Sequence, residues 1–401
     1  MTTPAENQES LHTPFTLWVI TITTGLVIAN IYYNQPLLDD MAHTFGVTSA
    51  KAGQVAMFTQ VGYALGLFFI VPMADMLKRK RMMIIDFGFI IISLLLAATA
   101  SDINALLLAS LLIGVSSIIP QLLIPMAAHL AKPAERGRKI GFVQSGLLIG
   151  ILLSRTLSGF VAAHWGWRCV FYVAAGLMIV MWVLVYRLLP EVQPTYKGSY
   201  KSLMLSIAGL IKENRHLRLA ALRGASCFAC FSAFWSTIAF LVKDNFDLGS
   251  DVAGLFGLAG AFGALAVSNI GRLTDKRSPY KIATYTISAL LISFVIYYFS
   301  GFSMVGMIAG VILMDMGLQG THLCNQTIIF ANNPAARNRI NTVYMVTYFS
   351  GGAVGTFLGT QLWYKYQWTG VCLLGIIVSA ITLILHLNNQ ETLQRDTPTV
   401  Q

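Results

Sequence analysis

The sequence predicts an all-α membrane protein with twelve transmembrane helices in two pseudo-symmetric six-helix bundles. Three observations predict it. Of 401 residues, 56% are hydrophobic and 11% charged, with a mean hydropathy of +0.66, whereas soluble domains carry about a quarter charged residues. The apolar residues gather into runs long enough to cross a bilayer, which takes about 20 residues each. The two halves of the chain also repeat each other at an offset of about 200 residues.

Taken in order, the first-half runs lie at residues 15–38, 50–73, 82–100, 104–128, 139–163 and 167–189. Those of the second half lie at 218–242, 251–271, 281–300, 303–329, 340–363 and 368–387. This divides the chain into an N-terminal tail (1–14), a bundle (15–189), a linker (190–217), a second bundle (218–387) and a C-terminal tail (388–401). Within the linker, residues 201–214 (KSLMLSIAGLIKEN) read either as a short helix on the membrane surface or as a plain tether. The first run is too long for a cleaved signal and lacks a small-residue cleavage site, so it is expected to be retained.

Of 27 basic residues, 21 flank the even-numbered loops and the C-terminus; Lys51, Arg168, Lys243 and Lys365 lie on the other side, and Arg155 and Arg223 within spans. Because cytoplasmic loops accumulate Lys and Arg, both termini are expected in the cytoplasm, with a plasma membrane, in bacteria the inner membrane, as the location. The net charge of +10 is spread between spans, which argues against nucleic-acid binding.

The repeat is carried by loops and helix starts. Phe45 and Gly53 align with Phe246 and Gly254, Pro133-Ala134 and Arg136-x-Arg138 with Pro334-Ala335 and Arg337-x-Arg339, and Trp167 with Trp368. Two parallel repeats imply a site at their interface near the bilayer midplane, opened to either side by rocking. No Gly-Lys-Ser/Thr loop for ATP and no H-E-x-x-H cluster is present. An enzyme is therefore not expected, nor is a metal or other cofactor. A channel would show a filter or charged ring, which is not evident. Cys227-x-x-Cys230 lies in an apolar helix without a second pair and reads as packing.

Two loops carry a resemblance. PMADMLKRKR (72–81) and GRLTDKRSP (271–279) resemble the loop signature of the major facilitator superfamily, in which an acidic residue stands four positions after a glycine and precedes basic residues. Gly271, Leu273, Asp275 and Lys276 fit it; Asp75, Arg79 and Lys80 are kept in the first copy, but Val71 and Lys78 stand where glycines are usual. Parallel six-helix repeats are a known property of that superfamily, so repeat and resemblance are not independent. Gly141, Gly150, Ser154, Arg155, Ser158 and Gly159 have the spacing of the motif found in drug/proton antiporters, with Arg155 at a usual proline and the two serines at usual glycines. NIYYNQPLL (30–38) looks like the corresponding stretch of twelve-helix efflux proteins. The resemblance implies proton-coupled efflux of a small organic compound by a carrier expected to act as a monomer, with a small-molecule substrate, protons and the bilayer as partners. Proton-linked movement of an organic anion or sugar is the alternative, and a sensor or channel a remote third.

Asp315 is the acidic residue near the middle of a predicted span, and intramembrane charges are costly enough to mark function. It is the expected proton-coupling group. Gln319, His322 and Gln326 share its helical face, and His322 is a second candidate for proton movement. Arg155 lies at a similar depth and could meet Asp315 across the cavity. Asn30, Tyr33 and Asn34 at i, i+3, i+4 would form a polar cavity wall, faced by Phe231, Phe234 and Trp235 on the equivalent helix. Asp75, Arg79 and Asp275 would hold a cytoplasmic gate. Asp86 and Arg223 read as structural, and the glycines of spans 5, 8 and 11 as close-packing seams.

Overall fold

The computed structural model describes residues 14–131, 135–194, 198–265, 267–274, 277–332 and 337–395, in which helices and turns but no strand occur. In order they are α1 (Pro14–Ala29), α2 (Leu38–Phe45), α3 (Ser49–Leu65), α4 (Arg79–Ala98), α5 (Ile103–Val115), α6 (Ile119–Leu130), α7 (Arg136–Trp165) and α8 (Trp167–Leu188). After the linker helix α9 (Tyr200–Glu213) come α10 (Arg215–Trp235), α11 (Ile238–Phe246), α12 (Ser250–Leu265), α13 (Val267–Thr274), α14 (Pro279–Ser300), α15 (Met304–Asn332) and α16 (Arg337–Arg395).

Among the described residues nine helices are long and apolar enough to cross a membrane, and Phe15–Ala29 and Ser250–Gly263 are shorter apolar helices. One of the nine, within α16, contains two spans, because Gln367 breaks the helix with φ 53° and ψ −148°. Twelve crossings result. Their outward faces carry side chains such as Ile85, Phe89, Ile92, Tyr285 and Phe299, all exposed. So wide an apolar surface is stable in lipid and not in water.

Helix starts follow local chemistry. Thr48 Oγ1 accepts from the Lys51 amide at the start of α3, and Asp102 Oδ1 from the amides of Asn104 and Ala105 at the start of α5. Both satisfy amides that a helix N-terminus leaves without intrahelical partners. Several spans are interrupted. The first stops at Ala29, continues through turns at 30–34 and a 3-10 segment Gln35–Leu37, and only then becomes α2. The second ends in a π segment Gly66–Ile70 and a 3-10 segment Val71–Asp75, the latter opening on Val71-Pro72. A break at 116–118 divides the fourth span and one at 236–237 the seventh.

The internal repeat is written into the backbone. The described residues with positive φ are Gly46, Gly166, Asp247 and Gln367, which form two pairs 201 residues apart. Each marks the same corner in each half: Gly46 and Asp247 end α2 and α11 in the left-handed region, and Gly166 and Gln367 lie at the sharp turns between the last two spans. Glycine adopts such φ at no steric cost and Asp tolerates the left-handed region, whereas Gln is strained at its position.

The linker settles into a helix. Ser199 caps α9, Leu203 and Ile207 are buried, and Tyr200 donates to the Phe69 carbonyl. Its apolar face packs onto the protein at one end of the bundles.

Candidate functional site

Two seams join the halves, and they are images of each other. In one, α7 meets α12: a Cβ on Gly159 would strike the Ser250 carbonyl, and one on Gly254 the Arg155 carbonyl. In the other, α3 meets α16, with Gly53 against Thr360. Gly53 and Gly254 are 201 positions apart, as are Gly159 and Thr360, so the repeat relates the two contacts. Both seams lie at the end of the molecule remote from Arg79, Arg136, Arg337 and Arg339, and in each a glycine lets the opposing helix approach closely.

At the basic end the halves separate around a cavity of about 780 Å³. Asp75, Arg79, Arg136, Arg337 and Arg339 surround its mouth, together with Leu203 and Ile207 of the linker helix. Its deeper walls are aromatic and amide-bearing: Tyr32, Tyr63, Gln121 and Gln144 from the first half, Phe228, Phe231, Gln319, His322, Tyr348 and Phe349 from the second. Phe228 stacks on Tyr348 at 4.1 Å, and Tyr63 meets Phe349 edge-on at 4.5 Å across the two halves. Such surfaces suit flat organic solutes.

Arg155 and Asp315 lie beyond the closed end of this cavity, both almost completely buried. The Arg155 Nε donates to Gln35 Oε1 at 2.7 Å, and its guanidinium lies 4.0 Å from the Trp235 ring, 4.9 Å from Tyr32 and 5.4 Å from Phe231. Among the described residues its Nη1 and Nη2 have no hydrogen-bond partner, nor does Asp315 Oδ2. Each such buried atom costs about 1–3 kcal/mol, and charged ones more. Among the described residues the two form no ion pair within 4.0 Å. α12 stands beside both: a Cβ on Gly257 would lie 3.3 Å from Arg155 Cβ, and one on Gly260 would lie 2.9 Å from Asp315 Oδ2. Three residues apart, these glycines share one side of the helix.

The remaining expected residues are placed as follows. Asn30 donates to the Val27 carbonyl and Met178 Sδ, and Asn34 donates to Thr59 Oγ1 at 2.9 Å. Neither these nor Tyr33 lines the cavity, whereas Tyr32 does. Trp235 is the floor under Arg155, while Phe234 stacks on Tyr297 at 4.6 Å within the second half. His322 lines the cavity and shares a 3.0 Å hydrogen bond with the Tyr344 hydroxyl. Asp75 pairs with Arg79 of its own loop at 3.3 Å; Asp275 lies outside the described residues. Asp86 is buried with Oδ2 unpartnered. Cys227 and Cys230 are free and buried.

Gln60, not singled out by sequence, ties the second seam together. Its Nε2 donates to Ser232 Oγ at 3.3 Å and its Oε1 accepts from Thr356 Oγ1 at 3.1 Å. Aligning the repeats offers a signal for it: Ala261 is the counterpart of Gln60, just as Thr356 is of Arg155.

Two related bundles around a polar and aromatic cavity, sealed at one end and open at the other, define a membrane carrier. The chain belongs to the Major Facilitator Superfamily, whose family model matches residues 20–356. It is 38% identical over 373 residues, 93% of this chain and 95% of the relative, to the uncharacterized transporter YgaY of Escherichia coli O157:H7. It is 22% identical to a probable sugar efflux transporter of Helicobacter acinonychis, covering 87% of each chain. Its fold is similar, at a TM-score of 0.76, 14% identity and full coverage of both chains, to a bacterial homolog of the human lysosomal transporter Spinster in an inward-facing, unoccupied conformation. The chain is thus a multi-pass membrane transporter of a family of carriers, not of enzymes.

Proposed function

We propose that this transporter exports a small organic compound in exchange for protons by alternating access, with Asp315 carrying the coupling proton. One observation carries the reading: a carboxylate without a partner is buried behind the closed end of the inter-bundle cavity, beside the glycines of a seam between the halves. Unsatisfied buried charges persist where function needs them. Opening that seam would expose Asp315 to the other side of the membrane, while closing it returns the group toward the cavity. A solute that engages the ionised carboxylate competes with the proton, which is the requirement for exchange. His322, about 10 Å along the same helix toward the cavity mouth, stands on the route between Asp315 and water.

The bias of Lys and Arg places the basic end, and both termini, in the cytoplasm of a bacterial inner membrane. On that orientation the cavity opens inward, and Asp75, Arg79 and Asp275 belong to the gate that closes it in the opposite state. The name of the Helicobacter relative supports efflux.

The unpartnered Nη1 and Nη2 of Arg155 favour a second reading, in which the solute is an organic anion. An anion there would raise the proton affinity of Asp315, so anion and proton would travel together. Proton flux in proteoliposomes across a solute panel, repeated with Arg155→Ala, separates the two. Solute gradients driving protons in the opposite direction, with Arg155→Ala retaining flux for uncharged and cationic solutes, support exchange. Flux in the same direction, abolished by Arg155→Ala, supports the second reading.

A further inference from the structure

Arg223 is a second buried arginine, and the exchange mechanism makes no use of it. It lies eight residues from the start of α10, about 12 Å from the basic end. Its Nε donates to Asn325 Oδ1 at 2.6 Å and its Nη1 to His386 Nδ1 at 2.8 Å. As acceptor at Nδ1, His386 carries its hydrogen on Nε2, which lies 3.0 Å from the Tyr280 carbonyl, so the imidazole is neutral. Around it are buried the neutral side chains Cys227, Tyr344, Tyr280 and Cys324. None is a carboxylate, and among the described residues Arg223 forms no ion pair within 4.0 Å.

Its environment also opens outward. A narrow crevice between α10 and the end of α16 is lined by Leu219, Leu222, Arg223 and Ser226 on one side and Thr382, Leu385, His386 and Asn389 on the other. Each set follows the i, i+3, i+4, i+7 spacing of one helix face. Leu222 and Leu385 are 51% and 45% exposed on the lipid-facing surface, whereas Arg223 and His386 are buried at the base. Asn389 accepts from Arg215 at 2.9 Å, bringing a second cation to the mouth. Among the described residues Arg223 Nη2 makes no hydrogen bond, though the other two nitrogens do.

We propose that this crevice is a binding site for an anionic phospholipid, whose phosphate is drawn to Arg223 and Arg215 while its acyl chains lie over Leu222 and Leu385. An unpaired guanidinium under an apolar, membrane-facing rim matches the two chemistries of a lipid, a charged head and hydrocarbon tails. A hydrogen-bonded chain leads inward from the site. Arg223 holds Asn325, whose Nδ2 donates to the Tyr344 hydroxyl at 3.3 Å, and that hydroxyl meets His322 on the cavity wall at 3.0 Å. The lipid therefore orders a chain that ends in the cavity. This inference is independent of the solute and of the coupling ion.

Native mass spectrometry of the full chain, released from mixed phosphatidylglycerol and phosphatidylcholine, tests it, with thermal unfolding in each lipid alone and in inorganic phosphate. The wild type retains phosphatidylglycerol about tenfold over phosphatidylcholine, as expected of charge-assisted hydrogen bonds, and phosphatidylglycerol raises its Tm. Arg223→Gln brings retention to parity and removes the Tm shift. Leu222→Trp, which fills the crevice from the lipid side and leaves the Arg223 bonds in place, does the same and decides the matter if Arg223→Gln fails to fold. Equal retention of both lipids by the wild type, or an undiminished preference in Leu222→Trp, overturns the proposal. So does a full Tm shift from inorganic phosphate alone.

Discussion

The two seams at the closed end occupy equivalent places in the repeat and differ in chemistry. In the α3–α16 seam, Gln60, Ser232 and Thr356 form a neutral set joined by hydrogen bonds. In the α7–α12 seam, Thr156 donates to the Gly254 carbonyl at 3.0 Å, and Arg155 and Asp315 lie nearby with three buried polar atoms unmatched. Thr356 and Arg155 are the same position in the two halves. A satisfied neutral contact is a hinge or latch; an unsatisfied charged one is a place where binding a proton or a solute changes the energy. On the proposed mechanism, symmetry builds the rocking scaffold and its local failure marks the coupling chemistry.

Forcing the seams apart should act on each in proportion to its packing. Gly254→Leu puts a side chain against the backbone of Arg155. Overpacking of this kind costs about 1–3 kcal/mol, which shifts the ratio of the two states about 5–150-fold toward opening of the sealed end. Distances between spin labels on either side of the seam measure it, and unchanged distances would mean that the seam is not the closure. Gln60→Ala removes two hydrogen bonds from the neutral seam, about 0.5–1.5 kcal/mol each, and moves the same distances in the same direction by up to a comparable amount.

A pH effect sharpens the contrast from outside the spans. Burial beside the sealed end raises Asp39 and Asp40 above the usual carboxylate range, although nearby His43 and a Ser250 hydrogen bond pull them down. Groups with raised values in the closed state take up protons on closing, so closure is favoured as pH falls through that range and weakened as pH rises above it. Asp39→Asn with Asp40→Asn should flatten this dependence in the same distance measurement. The smallest effect belongs to Asp75→Ala at the open end. There Arg79 loses one partly exposed i, i+4 partner, about 0.3–0.5 kcal/mol, and cysteine accessibility at the cavity mouth should change less than about threefold.

The twelve crossings and the repeat were legible because hydropathy and a constant offset are long-range patterns, which small errors in helix ends do not disturb. Arg155 and Asp315 were legible because charges within spans are rare. Their relation to each other was not, since lateral packing through Gly257 and Gly260 leaves no periodic trace. Asn30, Tyr33 and Asn34 were grouped on one face by assuming a continuous helix to residue 38. The helix ends at Ala29, the register is lost in the turns that follow, and Tyr32 faces the cavity instead. Phe231 and Trp235 lie within an unbroken helix, and there the i, i+4 spacing did bring both rings to one guanidinium.

On the proposed mechanism the charged seam carries the coupling through Asp315. Proteoliposomes loaded with a pH-sensing dye, with solute counterflow measured alongside, test it in Asp315→Asn. Counterflow should continue while solute-driven proton movement disappears. Proton movement at the wild-type rate in Asp315→Asn would contradict the account.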